Sequence, residues 1–421
     1  MISSFKIRNY KSILDILLTT NFNEGKAPNG YKEFPFHIFL GNKTKRVMPI
    51  LSIYGANASG KSNIIEAFLF LQEIVENGLT SKLYIPNKLN SKYKDTLFEI
   101  EIFLHDVEYQ YSISYDNATI LEEKLVANKN MVFHCKDKEL LHVFKGSKIY
   151  NKNKLGEIYN IECKNEKQEQ KSTLLAKLAK NYANLNQEIT NVYNYIIDKI
   201  DVVQDNRMCS GYNSLKQLSK EVGSDELALN KITTLIKKFD IDIENLSYEM
   251  KNLPLREMSN ISWTDIVDIS NSDSIKFSQF YSYHKDVENN IQKFNFQEES
   301  AGTQTLLPII GISLATLEKG GVLLVDELDK SIHPLLLIQL VKLFKDKRYN
   351  KNNAQLIFTL HCTDLLEDDL IRKSEVGIVS KTKKLGSTFS RLSEIKDLRN
   401  VLDFRKRYLM GEFSGIPHAY I

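Results

Sequence analysis

The sequence predicts an α/β fold built on parallel strands, and three short stretches carry this prediction. Residues 50–53 form an apolar strand, and a glycine-containing turn connects it to a helix with apolar residues at helical spacing. Residues 322–325 and 356–360 are two further apolar runs that end at polar residues. Such runs are typical of central parallel strands, because helices cover both faces of a parallel sheet.

The turn after the first strand has the pattern of a phosphate-binding loop, Gly-x-x-x-x-Gly-Lys-Ser. Its glycines let consecutive N–H groups and the N-terminus of the next helix face one polyanion. Lys61 then reaches the β- and γ-phosphates, and the Ser62 hydroxyl ligates Mg²⁺. A chance glycine turn is the plainer explanation, but both flanks fit the motif. The residues expected to bind ATP are Gly55, Asn57, Ser59, Gly60, Lys61, Ser62 and Asn63.

Composition is that of a soluble protein with a core of ordinary size. The 421 residues allow two or three domains, or one large domain with an insertion, and the net charge of +3 does not favour a strong polyanion binder. The longest apolar stretch, 306–317, is too short to span a bilayer, and no signal peptide opens the chain. Four widely spaced cysteines suit reduced thiols: Cys135, Cys163, Cys209 and Cys362. We expect a cytoplasmic protein without membrane contact.

Alternating patterns predict an antiparallel lobe within residues 1–150. Residues 1–13 alternate between apolar and basic side chains and then enter a polar turn, and residues 97–115 form a β-hairpin. The tyrosines of this hairpin suggest base stacking, but one buried face of a sheet explains them more simply. Shorter strand-like pieces continue to residue 150.

Residues 164–246 have a different character, with more polar residues and apolar positions at helical spacing. No heptad is sustained over several turns, so we expect a compact, mostly helical insertion at 151–255 rather than a coiled-coil arm. Its charged residues are interpreted as a solvated face. Strand-like pieces return around Trp263 and at 275–283, which places a C-terminal lobe at 256–421.

Two carboxylates follow the apolar run 322–325. Asp326 is placed to hold Mg²⁺, and Glu327 is the natural base to orient the attacking water. An apolar run before Asp-Glu is weak evidence alone and strong evidence beside a phosphate loop. More than half of the chain separates Lys61 from Asp326, so the two ends must fold into one head with the middle inserted.

The Ser/Gly turn at 300–304 opens another helix and is a second candidate anion site. Because the first loop already cradles the phosphates, Ser300, Gly302 and Thr303 would contact a nucleotide held by another subunit. An ordinary Ser300 N-cap is the alternative. His361 ends the run 356–360, where a lone histidine is usually just polar; beside Asp326 it would sense the γ-phosphate.

Four stretches add to these motifs: Phe5-x-Ile7-x-Asn9-Tyr10-Lys11-Ser12, Glu299-Ser300-Ala301-Gly302-Thr303, Asp326-Glu327-Leu328-Asp329-x-Ser331-x-His333-Pro334 and Tyr408-Leu409-x-Gly411-x-Phe413-x-Gly415-Ile416-Pro417. Their order resembles the ABC-type ATPase heads of the SMC, RecF and OLD group. Within that group the chain looks most like AAA-type ATPases of phage-defence operons, such as AbiL-type proteins and the AriA ATPase of PARIS systems. The similarity covers about residues 1–125 and 290–421.

The sequence departs from that group in three ways. Ser-Ala-Gly-Thr replaces the Ser-Gly-Gly-Gln of transporter-type signatures, which leaves the role of Thr303 open. The turn after the acidic pair ends in Ile332-His333-Pro334 rather than Leu-Asp. No glutamine is assigned to the Q-loop, so one contact to metal or water has no residue.

The resemblance implies an ABC-type P-loop head, with a mixed central sheet, an antiparallel β lobe and a mostly helical insertion. It implies Mg²⁺-dependent ATP hydrolysis in which Lys61, Glu327 and His361 are catalytic, while Ser62 and Asp326 contact the metal. It also implies a homodimer or higher homo-oligomer joined through sandwiched ATP.

The resemblance further implies control of a separate toxic effector, a nuclease or toxin, in anti-phage defence. No nuclease-like metal motif follows His361, and residues 367–369 are interpreted as a solvated loop. The alternatives are a RecF-like ATP-gated DNA clamp, and a scaffold that binds ATP but hardly hydrolyses it. DNA contact is possible for the defence ATPase and for the DNA clamp.

Overall fold

In the computed structural model, residues 1–22, 36–40, 43–89, 92–137, 139–143, 171–181, 186–204, 218, 222–223, 225–239, 241–254, 266–271, 274–366, 371–382, 386–395, 404–413 and 415–416 are described. The strands are β1 (Ile2–Tyr10), β2 (Ile13–Thr19), β3 (Phe36–Leu40), β4 (Lys43–Val47), β5 (Ile50–Tyr54), β6 (Thr96–Leu104), β7 (Val107–Tyr115), β8 (Ile120–Ala127), β9 (Asn130–Lys136), β10 (Glu139–Val143), β11 (Ile200–Val203), β12 (Asn245–Pro254), β13 (Ile266–Asn271), β14 (Ser274–Lys285), β15 (Ile291–Asn295), β16 (Val322–Val325), β17 (Gln355–Thr359), β18 (Val376–Thr382) and β19 (Gly386–Arg391). The α-helices are α1 (Lys61–Asn77), α2 (Leu174–Asn181), α3 (Gln187–Asp198), α4 (Glu226–Lys238), α5 (Ala301–Lys319), α6 (Pro334–Lys345) and α7 (Phe404–Leu409).

Among the described residues, one mixed sheet has 13 strands in the order β10-β9-β8-β7-β6-β1-β2-β19-β18-β5-β17-β16-β11. From β18 through β5, β17 and β16 to β11, each strand is parallel to the next, whereas β18 is antiparallel to β19. From β10 to β2 each strand is antiparallel to the next. The predicted α/β fold, with a mixed central sheet and an antiparallel lobe, is therefore confirmed.

The buried positions follow the sequence patterns that predicted these strands. Every residue of β5 is buried, as expected for a central strand with helices on both faces. Ile53 belongs to the core under α1, whereas Ile50 and Tyr54 belong to the core on the opposite face. The β6–β7 hairpin turns at His105 and Asp106, which have φ of 49° and 60°. The β7 tyrosines 109, 111 and 115 are buried, as one buried sheet face requires.

The stretch predicted as a helical insertion, 151–255, contributes to the head itself. Its strand β11 pairs in parallel with β16 at the edge of the main sheet. Helices α2 and α3 pack against α1, and α4 packs against α5 and β12. Gln72 links α1 to α3 and to β11, because its Nε2 donates to Ile196 O and Ile200 O at 2.8 Å each. The domain boundaries at 150 and 255 remain a prediction.

Several sequence interpretations fall outside the described residues. These are the strand-like piece at Trp263, the thiols Cys163 and Cys209, and the solvated loop at 367–369. Cys135 and Cys362 are in the thiol form. Within the described ranges, no helix combines the length and apolar character that crossing a membrane requires.

Glu123 of β8 joins the antiparallel lobe to α2. It is fully buried, and its carboxylate accepts hydrogen bonds from Leu174 N at 2.7 Å, Leu175 N at 3.0 Å and the Tyr111 hydroxyl at 2.9 Å. Burial raises the pKa of Glu123, and these three donors oppose the shift by stabilising the carboxylate. The side chain therefore accepts from the first two N–H groups of α2, while Thr173 Oγ1 accepts from Ala176 N at 3.2 Å.

We expect Glu123→Ala to lower the free energy of unfolding by about 3 kcal/mol, because it leaves buried donors without an acceptor. Urea unfolding measures this loss. Glu122→Ala is the matched control, since Glu122 is the adjacent residue, is 37% exposed and pairs with His134. Equal midpoints for the two variants would contradict the anchoring role of Glu123.

Candidate active site

The loop between β5 and α1 is shaped by close packing at both of its outer glycines. A Cβ on Gly55 would lie 2.3 Å from Val379 O of β18. A Cβ on Gly60 would lie 2.2 Å from Ser387 Oγ of β19, and Gly60 has φ of 110°. Neither position accommodates a side chain without moving its neighbour, so both glycines are required by the fold.

A chain of hydroxyl and amide groups supports the outside of this loop. The Ser387 hydroxyl donates to Ser59 O at 2.6 Å and lies 2.6 Å from Ser12 Oγ. Asn63 Nδ2 donates to the same Ser12 Oγ at 2.7 Å. The Ser59 hydroxyl is buried and has no hydrogen-bond partner among the described residues. Asn57 is exposed at the tip.

Ser12 is held at the loop by the two residues that precede it. Tyr10 donates its hydroxyl proton to Glu66 Oε2 at 2.8 Å, and the Lys11 ammonium pairs with the same oxygen. Glu66 is a buried residue of α1. The opening motif of the chain therefore fixes the N-terminal hairpin against the helix that follows the phosphate loop.

Lys61 lies buried inside the loop. Its Nζ donates to Gly55 O at 2.7 Å and to Ala56 O at 3.3 Å. Desolvation lowers the pKa of Lys61, while the carboxylates of Asp326, Glu327 and Asp329 act in the opposite direction. Carboxylates from the end of β16 and from the turn after it thus favour the charged form of Lys61.

Asp326 follows β16 and connects three neighbouring strands. Its Oδ1 accepts the Thr359 hydroxyl proton at 2.6 Å, and its Oδ2 accepts from Gln204 Nε2 at 3.2 Å. Its backbone N–H donates to Val203 O at 2.9 Å. Because β11, β16 and β17 are parallel, their carboxyl ends meet at this edge of the sheet.

Gln204 lies beside Asp326, although sequence analysis assigned no glutamine to this site. It follows β11 directly, and its Nε2 also lies 3.4 Å from Ser62 O. Its Oε1 is buried and has no hydrogen-bond partner among the residues that the structure describes. The available signal was the short run Ile-Asp-Val-Val at 200–203, which is followed by a glutamine. The apolar positions around this run recur at helical spacing, so the run was interpreted as part of a helix.

The residues around Asp326 fit a magnesium ion. The Asp326 carboxylate, the Ser62 hydroxyl and the unpartnered Gln204 Oε1 are the hard oxygen donors that Mg²⁺ prefers. Within the described parts of the chain, no group of three or more His, Cys, Asp or Glu could hold a metal. Such an ion would therefore depend on this mixed donor set and on phosphate oxygens.

Glu327 and His361 lie beside each other at the same edge. Glu327 Oε1 is 3.5 Å from His361 Nε2, and both side chains are partly exposed, at 44% and 42%. Glu327 has a left-handed backbone, with φ of 51°, and its N–H donates to Thr359 Oγ1 at 2.7 Å. Sequence analysis placed His361 beside Asp326; in the structure the carboxylate that it faces is that of Glu327.

Asp329 fixes the loop that carries His361. Its Oδ2 accepts from His361 N at 2.8 Å and also from Cys362 N. Its Oδ1 is buried and unpartnered among the described residues. Sequence analysis quoted Asp329 only as part of a motif, because a bond to backbone N–H groups leaves no mark on the partner's sequence.

The turn at 300–304 caps α5. Ser300 Oγ accepts from Thr303 N at 3.2 Å and lies 2.9 Å from Thr303 Oγ1. A Cβ on Gly302 would lie 3.0 Å from Ser331 O, so this turn packs on the turn that follows Glu327. The N-cap alternative for Ser300 is thus realised within the chain. A contact with another subunit's nucleotide remains a prediction.

Comparisons with known proteins give one family match and several similar structures. The family model described as "AAA domain, putative AbiEii toxin, Type IV TA system" matches residues 50–366. An SMC head domain from Thermotoga maritima is 12% identical, with 93% of this chain and 98% of that chain covered at a TM-score of 0.41. An Smc head domain from Pyrococcus yayanosii, with a coiled coil and joint, is 11% identical, with 93% and 96% covered at a TM-score of 0.42. No curated protein matches the sequence.

We expect Gln204→Ala to raise the Mg²⁺ concentration needed for nucleotide binding by about tenfold, because it removes the amide between Ser62 and Asp326. Binding of a fluorescent ATP analogue, titrated with Mg²⁺, measures this without turnover. Gln187→Ala is the matched control, since Gln187 is exposed on α3 and bonds to Asn191. Superimposable titrations for the two variants would refute the role of Gln204.

Proposed function

Because the chain belongs to the family described as "AAA domain, putative AbiEii toxin, Type IV TA system", we propose that it binds ATP and hydrolyses it. One observation carries the proposal: Gln204 Nε2 lies 3.2 Å from Asp326 Oδ2 and 3.4 Å from Ser62 O, so the end of β16 meets the start of α1, which begins at the buried Lys61. The Mg²⁺-dependent reaction then uses groups that lie far apart in sequence and adjacent in space.

In this proposal each residue has a defined task. The loop N–H groups and Lys61 bind the β- and γ-phosphates. Ser62, Asp326 and Gln204 would hold Mg²⁺, which neutralises phosphate charge when bound. Glu327 orients a water molecule and takes its proton as the water oxygen attacks the γ-phosphorus and the bond to ADP breaks. The exposure of Glu327 leaves its carboxylate accessible to that water.

We expect Lys61→Ala to abolish ATP binding, since the ammonium is the buried charge of the loop. Glu327→Gln is expected to keep ATP bound while turnover falls by about a hundredfold, because the carboxylate acts mainly in the transition state. Equilibrium binding and phosphate release measure the two effects separately. Hydrolysis by Glu327→Gln at the wild-type rate would show that another group activates the water.

We further propose that two subunits share each site, with ATP between them. The helix α5 begins at a Ser/Gly turn of its own, while α1 already supplies the anion site in the same chain. Two helix N-termini meet one triphosphate most simply when one belongs to a partner subunit. Nucleotide would then drive formation of a homodimer or a larger homo-oligomer.

Mixing Lys61→Ala with Ser300→Arg subunits is expected to restore part of the ATPase activity. Each mixed dimer keeps one site with an intact phosphate loop and an intact Ser300 turn. Turnover measured against mixing ratio should peak near equal amounts. Activity equal to the average of the two inactive proteins, when co-purification shows that they assemble together, would refute the shared site.

For the biological role, we propose that ATP-dependent assembly controls a separate toxic effector, a nuclease or toxin, in cytoplasmic anti-phage defence. The family description, which names a toxin–antitoxin system, supports this direction. The genes beside the coding sequence provide a test. An adjacent small nuclease or toxin gene favours the defence role, whereas replication or repair neighbours favour the ATP-gated DNA clamp.

A further inference from the structure

The C-terminal segment, described at residues 404–413 and 415–416, lies against the start of the phosphate loop. The ring of Tyr408 meets the ring of Tyr54 edge-on, with centroids 6.0 Å apart, and Tyr54 is the residue before Gly55. The Tyr408 hydroxyl donates to Gly415 O at 3.1 Å. A Cβ on Gly415 would lie 3.6 Å from Gly55 Cα and 3.3 Å from Val379 O. The segment and β18 therefore enclose Gly55 together.

The same segment also holds the loop after His361. Arg405 of α7 donates from Nε to Thr363 Oγ1 at 2.9 Å, and its terminal nitrogen lies 3.6 Å from Asp364 Oδ1. Asp329 holds this loop through the backbone N–H groups of residues 361 and 362. Side chains from two different elements thus restrain consecutive residues of one short loop.

Arg405 is a poor candidate for a purely stabilising residue. Its side chain is 33% exposed and that of Asp364 is 38% exposed. Ion pairs in such surroundings contribute little to folding stability. The buried side chains Tyr408 and Phe413 anchor the segment to the core instead. What Arg405 adds is a fixed position for the loop that carries His361 next to Glu327.

We propose that the C-terminal segment, at residues 404–413 and 415–416, is a positioning element for the nucleotide site. Arg405 is the positioning residue for His361, and Tyr408 with Gly415 positions Gly55. This inference rests on the proposed ATPase function. It assigns a task to the C-terminal motif Tyr408-Leu409-x-Gly411-x-Phe413-x-Gly415, which the binding and hydrolysis residues leave unused.

The proposal predicts that substitution of Arg405 lowers kcat, whereas substitution of Tyr408 or Gly415 raises KM. Arg405→Ala is expected to lower kcat for ATP about tenfold with an unchanged KM, because it frees the His361 loop and leaves the phosphate loop intact. Arg405→Lys should recover part of kcat, since a single donor can still reach Thr363. Arg407→Ala is the matched control on the same helix, where Arg407 pairs with Glu412.

Substitutions at Gly415 and Tyr408, the residues near Gly55, are expected to raise KM more than they lower kcat. Gly415→Ala places a methyl group 2.8 Å from Ile378 Cγ2 at a residue with φ of 74°, so the segment must move away from Gly55. Tyr408→Phe is the milder variant and removes only the hydroxyl bond to Gly415. We expect about a tenfold and a twofold rise in KM respectively.

The outcomes separate this inference from the function on which it rests. Wild-type turnover that Lys61→Ala abolishes, with equal kcat for Arg405→Ala and Arg407→Ala, overturns the inference alone. Absence of any wild-type turnover overturns both proposals. A melting temperature for Arg405→Ala far below that of Arg407→Ala identifies a structural residue and also overturns the inference. The split between kcat and KM, with rescue by Arg405→Lys, supports it.

Discussion

The parallel register of four strands, β11, β16, β17 and β5, is the constraint on which the candidate site depends. Val203 pairs with Val325, and Val325 pairs with Phe358. Gln204 and Asp326 therefore follow in one row, with Thr359 beside them. Side chains alternate between the faces of a strand, so a slip of one residue in any strand would turn its polar group away from the others. The apolar residues of these strands fix the register by burial.

The phosphate loop gains its shape from parts of the chain near both ends. Ser12 and Ser387 pack against Gly60, and Val379 and Gly415 pack against Gly55. A loop that binds a polyanion through backbone N–H groups performs best when those groups already point inward, because no reorganisation is then required on binding. This explains why the opening and closing motifs of the sequence accompany the phosphate loop although they lie far from it along the chain.

The sequence was sufficient to predict the features that are encoded in neighbouring residues. The loop at Gly55, the acidic pair at Asp326 and the β6–β7 hairpin were all predicted from local spacing, and the predicted fold class is correct. Interpretation was weakest in 151–255, where polar helices lie on both sides of the short strand β11 and the strand β12 follows them. β11 has only four residues, too few for periodicity to distinguish it from a piece of helix, and so both the strand and Gln204 were missed.

By itself, the sequence determined the chemical groups and their local framework: a phosphate loop before a helix, and carboxylates at the end of a buried strand. Only the tertiary structure decided which groups meet. It placed Gln204 on Asp326, turned His361 toward Glu327, and set Asp329 and Arg405 around the His361 loop. The physical reason is that these contacts come from strand register and from bonds to backbone atoms. Backbone atoms are the same at every residue, so the sequence of one partner carries no signal of the other.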